Sequence, residues 1–297
     1  MQGVAAHTAV QQGIQVPLAD PGLRRRSPGE EFAWAVRGTD PVEDCVTPLQ
    51  AHLPAVFPLF ATRPRYAVRH LLKTASVLDG DVPYVHEPPT ARFNASGTSY
   101  RSTPEGSYVP RLEEAELTDL SVSVPLPDGL LDRPSLLASF IDYRVLVRLS
   151  VVENETLLHG SQDKKIPGLL SLPDSRRGPL GTDLAESLMS AAAEVEETGG
   201  SCDGMVVHPA AYWQLLHNGV LGLLGSAGVT VSRTRMIPRD QVLLGDFKAA
   251  VTLLIPDVAS ISLRRGAGPG GCDTVEATTR IGLAVHLPQH FLLLSHN

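Results

Sequence analysis

The sequence predicts a mixed α+β fold, and three features point to it. Leu137, Ile141, Val145, Leu149 and Val152 recur every three or four residues, the spacing of an amphipathic helix. Leu120, Val122 and Val124 alternate with Ser121 and Ser123, the two-residue period of a half-buried strand. Beyond residue 183, helix-like and strand-like runs alternate to the end of the chain. With 297 residues there is enough chain to bury a core, as one large or two ordinary domains.

Residues 1–40 are polar, with Arg24, Arg25 and Arg26 in a row before Pro28, Gly29, Glu30 and Glu31. So little apolar content reads as an arm that gains order from a partner or neighbouring subunit, or else as a tail. Between Val42 and Leu78 the prolines at 48, 54, 58 and 64 forbid a long helix. Residues 80–116 are rich in Pro, Gly, Ser, Thr and Tyr. A stretch of that length inside a compact domain is usually functional or externally braced, and it reads as a long hairpin lying on another subunit.

After the alternating strand, Pro125 and Pro127 close the run, and Pro134 stands where a helix accepts proline, in its first turn, after Asp132 or Arg133. The helix this opens runs to His159–Gly160, about 37 Å at the usual rise per residue. Gly160 reads as its left-handed terminator. The stretch Ser150–Pro173 is therefore architectural, a helix end leading into a second lobe. Asp183 with Glu186 resembles a capping box for a helix carrying Leu184, Leu188, Ala191 and Val195, which closes at Gly199–Gly200. MVVHP is a short buried strand, and Pro209 starts AAYWQLLH with Trp213 and Leu216 on one face. Asn218–Gly228, with its many glycines, reads as a loop or frayed helix end. Strands follow at VTVSRT, QVLLGDF, AAVTLLIP and SISLRR, GAGPGG is a turn between strands, and no internal repeat is found.

Bulk properties narrow the function. A formal charge of −7 opposes general nucleic-acid binding, which depends on neutralising phosphates. Mean hydropathy of +0.02 and 43% hydrophobic residues suit a soluble protein with much apolar surface to cover, internally or against neighbours. Cys45, Cys202 and Cys272 are too few and scattered for a disulfide framework or metal site, and read as reduced thiols in a cytosolic protein. The first residues lack a signal-peptide pattern, and no run reaches the length of a membrane span.

Chemical motifs are absent or misplaced. GAGPGG has no lysine and precedes a strand, so it is no phosphate loop. The glycines at 219–228 have neither the spacing nor the order of a dinucleotide fingerprint, and GxSxG does not occur. His208 before Pro209 reads as a cap or core residue rather than a ligand. His286 and His290 are separated by Pro288, which prevents one helical face from presenting both to a metal. Ser161, Asp163 and His159, tested as a nucleophile cluster, are turn neighbours that seldom meet in the required geometry. No catalytic residue, metal or cofactor is expected.

In order, ENETLLHGSQDKKIPGLLSLP, an amphipathic helix, VVHPAAYWQLL, GDFK and TTRIGLAVHLPQHFLLLS form a set. Over residues of about 105–295 this set resembles shell proteins with the Hong Kong 97 type of tailed-phage capsid fold, encapsulins included. The resemblance implies an N-terminal arm (1–40) and a peripheral domain (41–79, 120–165 and 284–297) with a long spine helix at about 134–159. It implies an extended loop at 80–119 and an axial domain at 166–283. The loop would clasp a neighbouring subunit through Tyr84, Phe93, Tyr100, Tyr108 and Arg111. The axial tip, Asn218, Gly219, Val220, Leu221, Gly222, Leu223 and Leu224, would lie at an uncharged, weakly selective pore. The implied function is a self-assembling icosahedral nanocompartment in the cytoplasm, enclosing a cargo enzyme at an unknown site, with no membrane partner. A capsid of a tailed phage or prophage, located in the virion and packaging DNA, is the alternative. The short polar N-terminus favours the nanocompartment, since capsid precursors often carry a long helical scaffolding segment there. An α/β enzyme that binds an anionic ligand through Gly-rich loops is the rival from another class.

Overall fold

The computed structural model describes residues 27–40, 43–49, 68–78, 80–87, 110–256 and 259–296. The first described element corrects the expectation of a polar arm. Pro28–Gly38 is a helix, α1, with a reciprocal capping box: the Ser27 hydroxyl accepts from the Glu30 N–H, and the Glu30 carboxylate accepts from the Ser27 N–H. Phe32, Ala33 and Val36 form a buried stripe among the charged residues. Residues 1–26 lie outside the described residues.

Strands β1 (Cys45–Leu49), β2 (Lys73–Val77), β3 (Val82–His86), β4 (Arg111–Ala115) and β5 (Leu117–Pro125) follow. In β5 the alternation read from sequence appears as buried Leu120 and Val124 beside exposed Ser121 and Ser123. The predicted long helix is present but is not uniform. It comprises α2 (Pro134–Phe140), a π-helical turn at Ile141–Val145, and α3 (Leu146–His159). The wider turn adds a residue to the helical ladder at that point, and Leu149 beyond it is buried as expected. Val152, expected on the buried stripe, is only half-buried, and Glu153 and Asn154 are buried instead.

The remainder comprises β6 (Arg176–Pro179), α4 (Leu184–Glu197), β7 (Gly204–Val207), α5 (Pro209–His217) and α6 (Val220–Ser226). Strands β8 (Thr230–Arg233), β9 (Gln241–Gly245), β10 (Val251–Pro256), β11 (Ala259–Arg264), β12 (Thr274–Val285) and β13 (Phe291–Ser295) complete it. Asp183 caps α4 as predicted, its carboxylate accepting from the N–H groups of Ala185 and Glu186. Asn218–Gly228 is corrected: its centre is the seven-residue helix α6, entered through Gly219 at φ 73°.

Two compact units share the chain. Met1–Leu49, Ser123–Leu146 and Ala259–Ala277 make the first. In it α1 packs on α2 at close range. The Gly29 N–H donates to the Asp142 carboxylate at 2.8 Å, and a Cβ on Gly29 would stand 2.1 Å from the Ala138 carbonyl oxygen. Strand β1 runs antiparallel to β11, with Arg264 and the Arg265 N–H held by the Asp44 carboxylate. Gln50–Val122, Val147–Val258 and Thr278–Asn297 make the second. Its main sheet has the order β6-β13-β9-β7-β8. Leu188, Ala191 and Val195 of α4, Leu215 of α5, and Val220 and Leu224 of α6 cluster with the strand residues Met205, Val207, Val242, Leu244, Leu292 and Leu294. The second half of β12 runs antiparallel to β10, β10 runs parallel to β2, and β3 and β4 form an antiparallel pair. In the same unit Arg69 meets Glu153 at 2.5 Å, both buried. Burial raises the Glu153 carboxyl pKa, and the Arg69 guanidinium opposes that shift.

Candidate assembly surfaces

The motif residues prove to be structural fixings. At GDFK, a Cβ on Gly245 would come within 2.6 Å of the Phe291 ring, and one on Gly204 within 2.5 Å of the Phe247 ring. The two rings meet edge to face, 5.0 Å between centroids. Asp203 accepts from the N–H groups of Phe247 and Lys248, and Asp246 accepts from those of Ser201 and Ala249. Cys202, beside this junction, has its thiol pushed up to about 12 by burial, with nearby carboxylates adding to the shift. A thiol held in this form is a poor nucleophile at neutral pH.

The turn after α3 is equally committed. Gly160 has φ 90°, as predicted for a left-handed terminator, and its N–H closes on the Thr156 carbonyl. The Ser161 N–H donates to the Ile166 carbonyl and its hydroxyl accepts from the Ile166 N–H. The Asp163 carboxylate accepts from the Thr118 hydroxyl and the Lys165 N–H. Partial burial raises its pKa, but the hydrogen bonds from Ser161 and Thr118 outweigh that and hold it below the usual carboxylate range. His159 Nε2 lies 2.8 Å from the Met236 carbonyl. Ser161 and Asp163 thus serve the turn itself, while His159 is engaged by the Met236 carbonyl.

His208 Nδ1 accepts from the Ala210 N–H and caps α5, one of the two roles read for it. His286 bridges the Val85 carbonyl and the Thr252 hydroxyl, and His290 lies buried in a short 3-10 turn, Pro288–His290. Among the described residues, no three His, Cys, Asp or Glu side chains converge as a metal site. No described helix is long and apolar enough to cross a membrane. A cavity of about 480 Å³ in the first unit is bordered by Leu130, Arg133, Leu136, Phe140, Tyr143 and Arg144. It joins apolar surface to two guanidiniums and the Asp128 carboxylate, and the Ser139 hydroxyl on its lining donates to the Ser135 carbonyl.

Of the predicted clasp residues, Phe93, Tyr100 and Tyr108 lie outside the described residues. Tyr84 and Arg111 stand on β3 and β4, so the long segment is a hairpin at its base. The Tyr84 hydroxyl donates to Glu113 at 2.9 Å, and its ring meets His286 edge to face. Burial first, then the Glu113 carboxylate, raises the pKa of the phenol. Of the predicted pore residues, Val220 and Leu224 are buried in the unit's own core. Asn218, Gly219, Gly222 and Leu223 are exposed and Leu221 is half-buried.

No protein-family model and no curated protein matches the sequence. Solved structures do match. The virus-like particle from Pyrococcus furiosus aligns with a TM-score of 0.57 at 14% identity, over 83% of this chain and 98% of that one. The capsid of a native GTA particle aligns with a TM-score of 0.55 at 13% identity, over 79% and 97%. The capsid of Myoviridae phage XM1 aligns with a TM-score of 0.52 at 13% identity, over 77% and 90%. With its order of helices and strands, this chain has the Hong Kong 97-type fold found in those capsid and virus-like-particle proteins.

Proposed function

We propose that this chain is a non-enzymatic shell protomer that self-assembles into a closed icosahedral nanocompartment of the encapsulin kind, enclosing a cargo enzyme in the cytoplasm. The supporting observation is the extent of the likeness to the Pyrococcus furiosus virus-like particle, which takes in 98% of that chain. A backbone likeness that spans a whole subunit supports a shell role more strongly than a shared motif would. The major capsid protein of a tailed phage or prophage is the second reading, favoured by the likeness to the phage XM1 capsid over 90% of its chain.

In this reading residues 134–159 act as the spine of the peripheral domain, and 80–119 form the clasp on a neighbour. The axial domain is 166–283, with the exposed residues of 218–223 near a symmetry axis. The clasp would work through Tyr84, Phe93, Tyr100, Tyr108 and Arg111. Removing residues 90–106 leaves β3 and β4 to pair, because shortening a loop changes its closure entropy only weakly. The expected product is a folded subunit that no longer assembles; normal particles would refute the clasp.

Electron microscopy of the purified protein tests the main proposal. Uniform hollow particles with a co-purifying protein support the nanocompartment, and particles holding nuclease-protected DNA support the phage capsid. A small monomer at high concentration would refute both.

A further inference from the structure

Resting on the shell reading, we propose that neighbouring subunits join head to tail through two complementary faces of the second unit. An aromatic and basic face on α5 and β8 of one copy would meet an acidic face on α4 of the next.

The first face is built on α5. Leu215 turns inward, which leaves Trp213 and Leu216 outward, 56% and 48% exposed. This refines the single face predicted for those two residues: they share a stripe, but it faces away from the core. The Arg233 guanidinium, brought alongside by β8, lies 4.5 Å from the Tyr212 ring centroid and 4.9 Å from that of Trp213. Arg239 lies near the capping His208, where its charge adds to burial in keeping that imidazole neutral. Trp, Tyr and Arg together on an exposed, pre-arranged surface are the residue types that dominate protein interfaces.

The second face is the outward stripe of α4. Leu188, Ala191 and Val195 face the sheet, so Glu186, Met189, Ala193, Glu196 and Glu197 are exposed on the other side. Met189 is 55% exposed, an adaptable apolar residue among carboxylates. The two faces match in charge, and each has an apolar centre.

Their placement suits head-to-tail joining. Helix α4 packs on β9 and β13, the central strand and its neighbour, while α5 and α6 pack by the edge strand β8, so the two patches lie on different helices of one layer. Two different patches on one subunit make a heterologous contact, which closes into a ring when the rotation per subunit permits. Single-stranded nucleic acid is the competing occupant of an aromatic and basic face. It is disfavoured because Arg233 already covers a face of each ring that a base would stack on, and because the chain is acidic.

The test is charge reversal read by electron microscopy and size-exclusion chromatography, with circular dichroism confirming the fold. Arg233→Glu with Arg239→Glu is expected to abolish particles, as is Glu196→Arg with Glu197→Arg. All four substitutions together are expected to restore particles. Either reversed pair assembling like the unaltered chain would overturn the contact while leaving the shell reading intact. Failure of the fourfold variant to regain assembly would also overturn it. Loss of co-purifying nucleic acid from intact Arg233→Glu/Arg239→Glu particles would assign the face to nucleic acid and overturn the contact too. If the unaltered chain forms no particles, the shell reading itself fails. Hydroxyl-radical footprinting of the unaltered protein needs no variant. Trp213 and Met189 are expected to oxidise several-fold more slowly in particles than in dissociated subunits, and equal rates would overturn the contact.

Discussion

Glycine serves opposite ends in two regions of the second unit. At the end of α3, Gly160 and Gly168 are enclosed: a Cβ on Gly168 would stand 2.4 Å from the His159 carbonyl carbon and 2.7 Å from the Leu158 carbonyl oxygen. At Gly219, Gly222, Gly225 and Gly228 an added Cβ would meet nothing within 4 Å. Gly219 and Gly228 need their freedom for positive φ, but Gly222 and Gly225 lie in ordinary helical backbone. The first pair is required by packing within the subunit. The second pair has no such requirement, so a neighbouring copy is the natural place to seek one.

The largest effect should come from Gly168→Ala. Backbone contacts this short cannot yield as a side-chain tip would, and the expected loss is about 3 kcal/mol, the upper part of the range for overpacking. That corresponds to a fall of roughly 6–12 °C in Tm, measurable by calorimetry. An unchanged Tm would remove the distinction between the two regions.

Gly222→Ala should act in the opposite direction. Alanine in an exposed helix interior is favoured over glycine by about 0.5–1 kcal/mol, so the isolated subunit should melt roughly 1–4 °C higher. If particles of this variant are lost while the subunit is stabilised, the glycine is kept for a neighbour. If the subunit is destabilised, the site is not open.

The smallest effect concerns pH. Burial lowers the His290 imidazole pKa below its usual value, and Asp246 offsets part of the shift. Between the folded and unfolded values the unfolded chain binds the extra proton, so stability falls as pH drops below the ordinary histidine range. Thermal melts from pH 7.5 downward should show this decline, and it should be weaker in His290→Gln. The same slope in both proteins would assign it to other groups.

Local chemistry made much of the fold legible. The Asp183 cap, the Leu120–Val124 alternation, the Gly160 terminator and the strands from β8 to β11 each depend on residues close in sequence. The α1 signal, Ser27-Pro28-Gly29-Glu30, was present too, but the surrounding charges masked a stripe made only of Phe32, Ala33 and Val36. What could not be read depended on distant partners. The Gly29–Asp142 and Arg69–Glu153 contacts span 113 and 84 residues. Glu153 is buried against Arg69, so its burial beside a half-buried Val152 left no local trace. Burial of Val220 and Leu224 likewise depends on a sheet assembled from strands far apart in sequence. That packing narrows the candidate pore surface to the exposed residues of 218–223.

Single-particle electron microscopy of the full chain at neutral pH decides whether it forms a shell. Closed, hollow particles of uniform diameter with icosahedral symmetry are expected if the chain is a shell protomer. A monodisperse monomer that persists at high concentration would contradict it.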